Sequence, residues 1–206
     1  LANLQSDSIT HHIRAGGVCV PSPTDSRIAI YSVRTYSNEN EVYIYDGTDY
    51  EEPITIRRTG TTEFIYSVSW KPDGTQLLLL TSDGVAHIYS SDGAGGSVQI
   101  KGPKEFHHAE WNHDGSRILT ANNTSVQIWN SDGTHVCDLA GSLGDTLIRT
   151  AAWSPKSDTV AVQYDDGRID TIDPDTREAK TICPASDTHS WRSEERRVGK
   201  ECVRLC

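Results

Sequence analysis

The chain has 206 residues, 35% of them hydrophobic and 23% charged, with 16 glycines and no methionine. Its net charge of −10 disfavours nonspecific binding to nucleic acid or to an anionic membrane, and no apolar run approaches the length of a membrane span. This composition suits an all-β domain, or part of one, with many tight turns and few long helices.

Residues 1–16 read as a short strand or as the tail of a preceding repeat. The pair His11-His12 falls here. Neighbouring residues of a strand point to opposite faces, so the two are read as solvated rather than as a metal pair. The chain opens at Leu1 with no basic-then-apolar leader, and the expectation is that the native N-terminus lies further upstream.

From Val18 onward short apolar runs alternate with polar turns. Ser22-Pro23-Thr24-Asp25 reads as a turn, followed by strands at 27–32 and 41–46 with an insertion at 34–40 between them, then a strand at 53–57. In the next unit Lys71-Pro72-Asp73-Gly74 follows Trp70. A strand is expected at 76–80, a turn at Ser82-Asp83-Gly84, a strand ending Ile88-Tyr89-Ser90, and a fourth strand at 97–101.

The third unit repeats the order. Asn112-His113-Asp114-Gly115 follows Trp111, with strands at 117–121, 125–130 and 135–139 and the turn Asn122-Asn123-Thr124 after the first of them. The fourth has Ser154-Pro155-Lys156-Ser157 after Trp153, strands at 159–162 and 179–183, and Asp165-Asp166-Gly167 leading to Thr171-Ile172-Asp173. Asp-Gly between apolar runs is a strong hairpin signal, because glycine tolerates the positive φ such turns need. Trp70, Trp111 and Trp153 are spaced by 41 and 42 residues, a period typical of stacked repeat units. Val68, Leu77, Leu79, Ile118, Val126 and Ile128 are expected to pack between those units.

The strings V-S-W-K-P-D-G, A-E-W-N-H-D-G and A-A-W-S-P-K-S, with the third-strand endings Y-D, Y-S, W-N and I-D, resemble the WD40 repeat family. The resemblance covers residues 18–183. It implies an all-β, WD40-like β-propeller, with about four consecutive four-stranded blades (17–58, 59–101, 102–140 and 141–184) of a larger ring. The family commonly has about seven blades, so the native protein is expected to continue in both directions. The family's Gly-His pair is absent: Gly60 is followed by Thr61, and Gly102 and Gly144 also lack a histidine. The blades are therefore divergent, held mainly by apolar packing, with Asp83 and Asp165 or Asp166 as remnants of the family's hydrogen-bond network.

No motif supports catalysis. Gly93-Ala94-Gly95-Gly96 lacks the lysine and helix of a phosphate-binding loop and reads as a hairpin turn. His107-His108, Glu110 and His113 do not make a closed metal-ligand set, since His108 and Glu110 share a strand face that His107 does not. The acidic loop at 46–52 lacks the alternating ligands of a calcium loop. Asn122 and Asn123 begin overlapping glycosylation sequons, which matter only in a secreted protein. Cys19, Cys137 and Cys183 read as reduced, partly buried thiols, suiting the cytoplasm. No cofactor, metal, nucleic acid, membrane or small-molecule substrate is implied.

Two functional readings follow. The first is a non-catalytic scaffold. The family's most-used rim is built from second-to-third-strand turns and inter-blade connections, and loops on a rigid frame are where binding usually lies. That rim places partner-binding candidates at Tyr36, Asn38, Glu39 and Asn40 of the insertion, and at Thr61 and Glu63 of the first connection. The turns add Asp83, Asn122, Asn123, Asp165 and Asp166. An acidic body predicts protein partners with basic patches. The alternative is a propeller module of a larger enzyme or signalling protein, whose catalytic part lies elsewhere.

The repeat grammar stops after Trp191. Residues 192–202, R-S-E-E-R-R-V-G-K-E-C, resemble an in-frame translation of a sequencing-library adaptor, which implies a non-native tail over 192–206. The same residues also read as a charged helix with Glu–Arg pairs at helical spacing; the adaptor reading is preferred because the whole string matches. The tail holds five basic and three acidic residues, leaving −12 on residues 1–191.

Overall fold

The computed structural model describes residues 17–32, 41–47, 52–57, 63–141 and 146–185. They form sixteen strands in four antiparallel sheets, each a four-stranded meander with its strands in chain order. Sheet 1 holds β1 (Gly17–Pro21), β2 (Ile28–Ser32), β3 (Glu41–Tyr45) and β4 (Ile54–Arg57). Sheet 2 holds β5 (Ile65–Trp70), β6 (Gln76–Thr81), β7 (Ala86–Ser90) and β8 (Val98–Ile100). Sheet 3 holds β9 (His108–Trp111), β10 (Arg117–Ala121), β11 (Ser125–Asn130) and β12 (His135–Gly141). Sheet 4 holds β13 (Ile148–Trp153), β14 (Val160–Tyr164), β15 (Ile169–Ile172) and β16 (Ala179–Cys183).

The hairpins close by one recurring device. In the turn after Trp70 the Gly74 N–H donates to the Lys71 carbonyl, Gly74 takes φ +71°, and the Asp73 carboxylate accepts the Thr75 N–H at 2.9 Å. Asp114-Gly115, Asp132-Gly133 and Asp166-Gly167 repeat all three features. The aspartate caps the amide two residues on, while glycine adopts the left-handed conformation at no steric cost. That pairing is why Asp-Gly recurs in the sequence.

Packing occurs between successive sheets. Ala29, Val42, Ile44 and Ile56 of sheet 1 cluster with Val68, Trp70, Leu77 and Leu79 of sheet 2. The other side of β6 offers Leu78 and Leu80, which join Ile88 and Ile100 against Phe106, Trp111, Ile118 and Trp129. Leu119, Val126, Ile128 and Cys137 then meet Trp153, Val160, Val162, Tyr164 and Ile172 of sheet 4. An inner sheet is thus buried on both faces, so β6 reads Q-L-L-L-L-T instead of alternating. All six residues expected between units lie in these clusters.

Polar ties cross the same interfaces. The Trp70 indole N–H donates to the Val20 carbonyl at 2.9 Å. The Arg27 guanidinium lies 5.1 Å from the Trp70 ring centre and donates to the Gly74 carbonyl and the Ser91 hydroxyl. Between sheets 3 and 4, Arg117 pairs with Asp175 at 2.7 Å and the Asn112 amide donates to Asp158.

Some expectations are corrected. The strand expected at 159–162 runs Val160–Tyr164, because Val160, Val162 and Tyr164 all face sheet 3 while the Thr159 carbonyl closes the preceding turn with Ser154. β12 continues to Gly141, past the expected 139. Of the three thiols expected to be partly buried, Cys183 is so, whereas Cys19 is exposed and Cys137 buried. Burial pushes the Cys137 thiol pKa up.

Candidate functional site

Every meander has two ends. First-to-second and third-to-fourth strand turns lie at one end; second-to-third strand turns and the connections between sheets lie at the other. At the latter end the sheets are joined through backbone. The Phe106 N–H, entering sheet 3, donates to the Gly84 carbonyl of the sheet 2 turn at 2.9 Å. The Ile148 N–H, entering sheet 4, donates in the same way to Asn123 of the sheet 3 turn at 2.8 Å. Each turn is also tied to its own first strand, as in Ser82 N–H to Phe64 O and Asp165 N–H to Leu147 O.

Between sheets 2 and 3 these elements frame a hollow of about 710 Å³. One wall is the turn Asp83-Gly84-Val85, another is the connection 101–105 with His107, and the third is Asn122-Asn123-Thr124. A smaller hollow of about 160 Å³ adjoins it toward sheet 4, lined by His107, His108, Asn122, Asn123, Ile148 and Arg149 among others. His107, Asn122 and Asn123 border both. The larger hollow is an open groove, and these three residues form the saddle between it and the smaller one.

The walls are fixed from beneath. Phe106 is 3% exposed and meets Trp129 edge-on at 6.1 Å, anchoring the connection in the core. Gly84 is required twice over: its φ is +70°, and an added Cβ would fall 2.3 Å from Glu105 Cβ. Lys104 reaches across the hollow to donate to the Thr124 hydroxyl at 3.1 Å.

Asn122 organises the saddle. It is 6% exposed, and its Oδ1 accepts the Thr124 and Ser125 N–H groups, both at 2.9 Å, together with both their hydroxyls. Those bonds fix which end of the amide faces the turn. Its Nδ2 is closed to solvent and has no partner, a state that costs about 1–3 kcal/mol.

Of the expected rim residues, Asp83, Asn122 and Asn123 come together on this groove. The Asp83 carboxylate is engaged locally, accepting the Thr81 hydroxyl at 2.6 Å and the Val85 N–H. Asp165 and Asp166 sit on the equivalent turn of sheet 4, capping the Leu147 and Arg168 N–H groups rather than lining either hollow. All three act as local turn caps. Glu63 lies two residues before β5, half-buried. Tyr36, Asn38, Glu39, Asn40 and Thr61 lie outside the described residues, as do residues 1–16 and the 192–206 tail.

Lys101, Lys104, His107 and Arg149 were absent from the expected set. The available signal was the connection itself: Lys101-Gly102-Pro103-Lys104 occupies between sheets 2 and 3 the place that Thr61 and Glu63 occupy between sheets 1 and 2. Comparison with known proteins finds no family model that matches the chain and no matching curated protein.

The histidines are dispersed. His108 meets Glu110 at 3.4 Å, whereas His113 lies at the far end beside Asp158 at 3.5 Å. Among the described residues no three His, Cys, Asp or Glu side chains converge as a metal site, and no helix is long and apolar enough to cross a membrane. Of the two sequon asparagines, Asn122 is buried and Asn123 exposed.

The far end carries most of the capping aspartates. The Arg27 guanidinium holds Asp25 well below the usual carboxylate range. At Asp73 burial raises the pKa, but bonds from Thr75 and Lys71 outweigh it and leave it at about 2. Asp114 and Asp132 are lowered chiefly by Ser116 and Thr134, and Asp92 by Ser90. Capping aspartates thus stand at both ends, more of them at the far end, and the groove-bearing end adds Lys101, Lys104 and Arg149.

Proposed function

We propose that the four sheets are consecutive blades of a WD40-like β-propeller, and that the protein is a non-catalytic scaffold whose groove-bearing rim holds partner proteins. The observation that carries this reading is the groove itself. It is assembled from the turns of two successive sheets and the connection between them, on a frame held rigid by backbone bonds and a buried phenylalanine. Recognition commonly falls on loops that a rigid scaffold positions. Stacked two-faced sheets at a period of 41 and 42 residues support the propeller reading.

A photo-crosslinking residue at Asn123, on the groove, against one at Thr134, exposed at the far end, tests the proposal. A discrete protein adduct formed from position 123 and not from position 134 is the expected result. Identical adducts from both positions, or none from position 123, would overturn it.

A further inference from the structure

We propose that Asp46-Gly47, in the connection between β3 and β4, is a site of spontaneous covalent modification. In the folded protein this step passes through a succinimide to isoaspartate, while the chain's other Asp-Gly steps are held inert. The modification is independent of what the rim binds.

The chain has seven Asp-Gly steps, at Asp46, Asp73, Asp83, Asp92, Asp114, Asp132 and Asp166. Such steps are reactive because glycine has no side chain to shield its backbone nitrogen. That nitrogen attacks the aspartate Cγ, and a new C–N bond closes the succinimide ring. The amide proton and the carboxyl hydroxyl leave together as water. Solvent water then opens the ring: cleavage on the Cγ side restores aspartate, whereas cleavage on the α-carbonyl side leaves the main chain running through Cβ and Cγ. Nothing is oxidised or reduced.

Six of the steps are locked twice. In each the glycine takes φ between +70° and +87°, and its N–H donates to the carbonyl three residues back at 2.8–3.2 Å, as Gly74 does to Lys71 and Gly167 to Tyr164. In each the aspartate Oδ1 also accepts the N–H of the residue after that glycine. The nucleophile is tied to one acceptor and the carboxyl group is turned toward a different amide. Ring closure at these steps requires the turn to open first.

Gly47 departs from the pattern. Its φ lies outside the left-handed region, and among the described residues its N–H donates to no backbone carbonyl. Asp46 is exposed, and its Oδ1 accepts the Ser26 hydroxyl at 3.1 Å, from the turn between β1 and β2. A hydroxyl placed there polarises the carboxyl group and supports the oxygen anion that forms as nitrogen adds.

The product keeps the negative charge but lengthens the backbone by a methylene. Space for it is short, since an added Cβ at Gly47 would lie 2.4 Å from the Ser26 carbonyl oxygen. Isoaspartate at position 46 therefore displaces the turn that holds Ser26. The next residue is Arg27, whose guanidinium lies over Trp70 and donates to the Gly74 carbonyl. The modified chain is one in which sheet 1 is loosened from sheet 2.

The test incubates the full chain at neutral pH, folded and in guanidinium chloride, and maps the peptides of both. Isoaspartyl carboxylates are read by transfer of a labelled methyl group from an isoaspartyl methyltransferase, and are placed by electron-transfer fragmentation. In the folded chain isoaspartate is expected at position 46 and at none of the other six steps; in denaturant all seven should react. D46E cannot close a succinimide ring and should abolish the folded-state signal. Isoaspartate forming at Asp83 or Asp114 as fast as at Asp46 in the folded chain would overturn the proposal. So would an unreactive Asp46 in the folded chain when the denatured chain reacts, or a folded-state signal that survives D46E.

Discussion

Trp70, Trp111 and Trp153 occupy the same place at the end of each sheet's first strand, yet they are not equivalent. The Trp70 indole N–H reaches Val20 across the interface, whereas those of Trp111 and Trp153 are buried without a partner. Trp70→Phe discards a bond and strands a carbonyl; Trp111→Phe removes a group that was already unsatisfied. Chemical denaturation should therefore find Trp70→Phe about 1–2 kcal/mol more costly than Trp111→Phe, and equal losses would contradict the assignment. The capping aspartates make a second prediction. A carboxylate whose pKa is depressed in the folded state stabilises above its unfolded value of about 3.9 and loses that contribution as pH falls through the folded value, about 2 for Asp73. Thermal midpoints should hold nearly constant down to about pH 5 and then fall toward pH 2. Asp73→Asn keeps an oxygen for the Thr75 N–H and should make that acid limb shallower.

At the scale of elements, β6 is the clearest case of one strand serving two interfaces. Leu79 faces sheet 1 and Leu78 faces sheet 3, and both are almost wholly buried. Either change to alanine should cost about 2–5 kcal/mol, but the damage should fall in different places. Amide hydrogen exchange should quicken in β2 and β3 for Leu79→Ala, and in β10 and β11 for Leu78→Ala, since repeat units answer chiefly to their neighbours. Uniform acceleration in both variants would mean one undivided core. Strands of this kind were legible in the sequence: β10 and β11 begin and end where the spacing of Trp111, Asp114-Gly115 and Asn122-Asn123 puts them. The groove was only half legible. Asp83, Asn122 and Asn123 follow from turn position, whereas Lys101, Lys104 and Arg149 join them through the apposition of different sheets. The unpaired amide of Asn122 depends on four bonds to its oxygen, which no local pattern encodes.

For the molecule as a whole, stability is shared among three interfaces, and Cys137 reports on one of them. It is buried between sheets 3 and 4, while Cys19 is exposed on sheet 1. A maleimide pulse read by peptide mass mapping should label Cys19 at once and Cys137 only as fast as sheets 3 and 4 part, with both labelled immediately in denaturant. Prompt labelling of Cys137 under native conditions would show that interface to be open. The joins at the groove-bearing end have a further consequence. They run from peptide N–H to peptide C=O, at Phe106 to Gly84 and at Ile148 to Asn123, so the spacing of neighbouring sheets there does not depend on the chemical identity of an exposed residue such as Asn123. Substitution at such a position changes the surface offered to another molecule while the frame beneath keeps its dimensions. The exposed face of that end is therefore open to change at little cost to the fold beneath it.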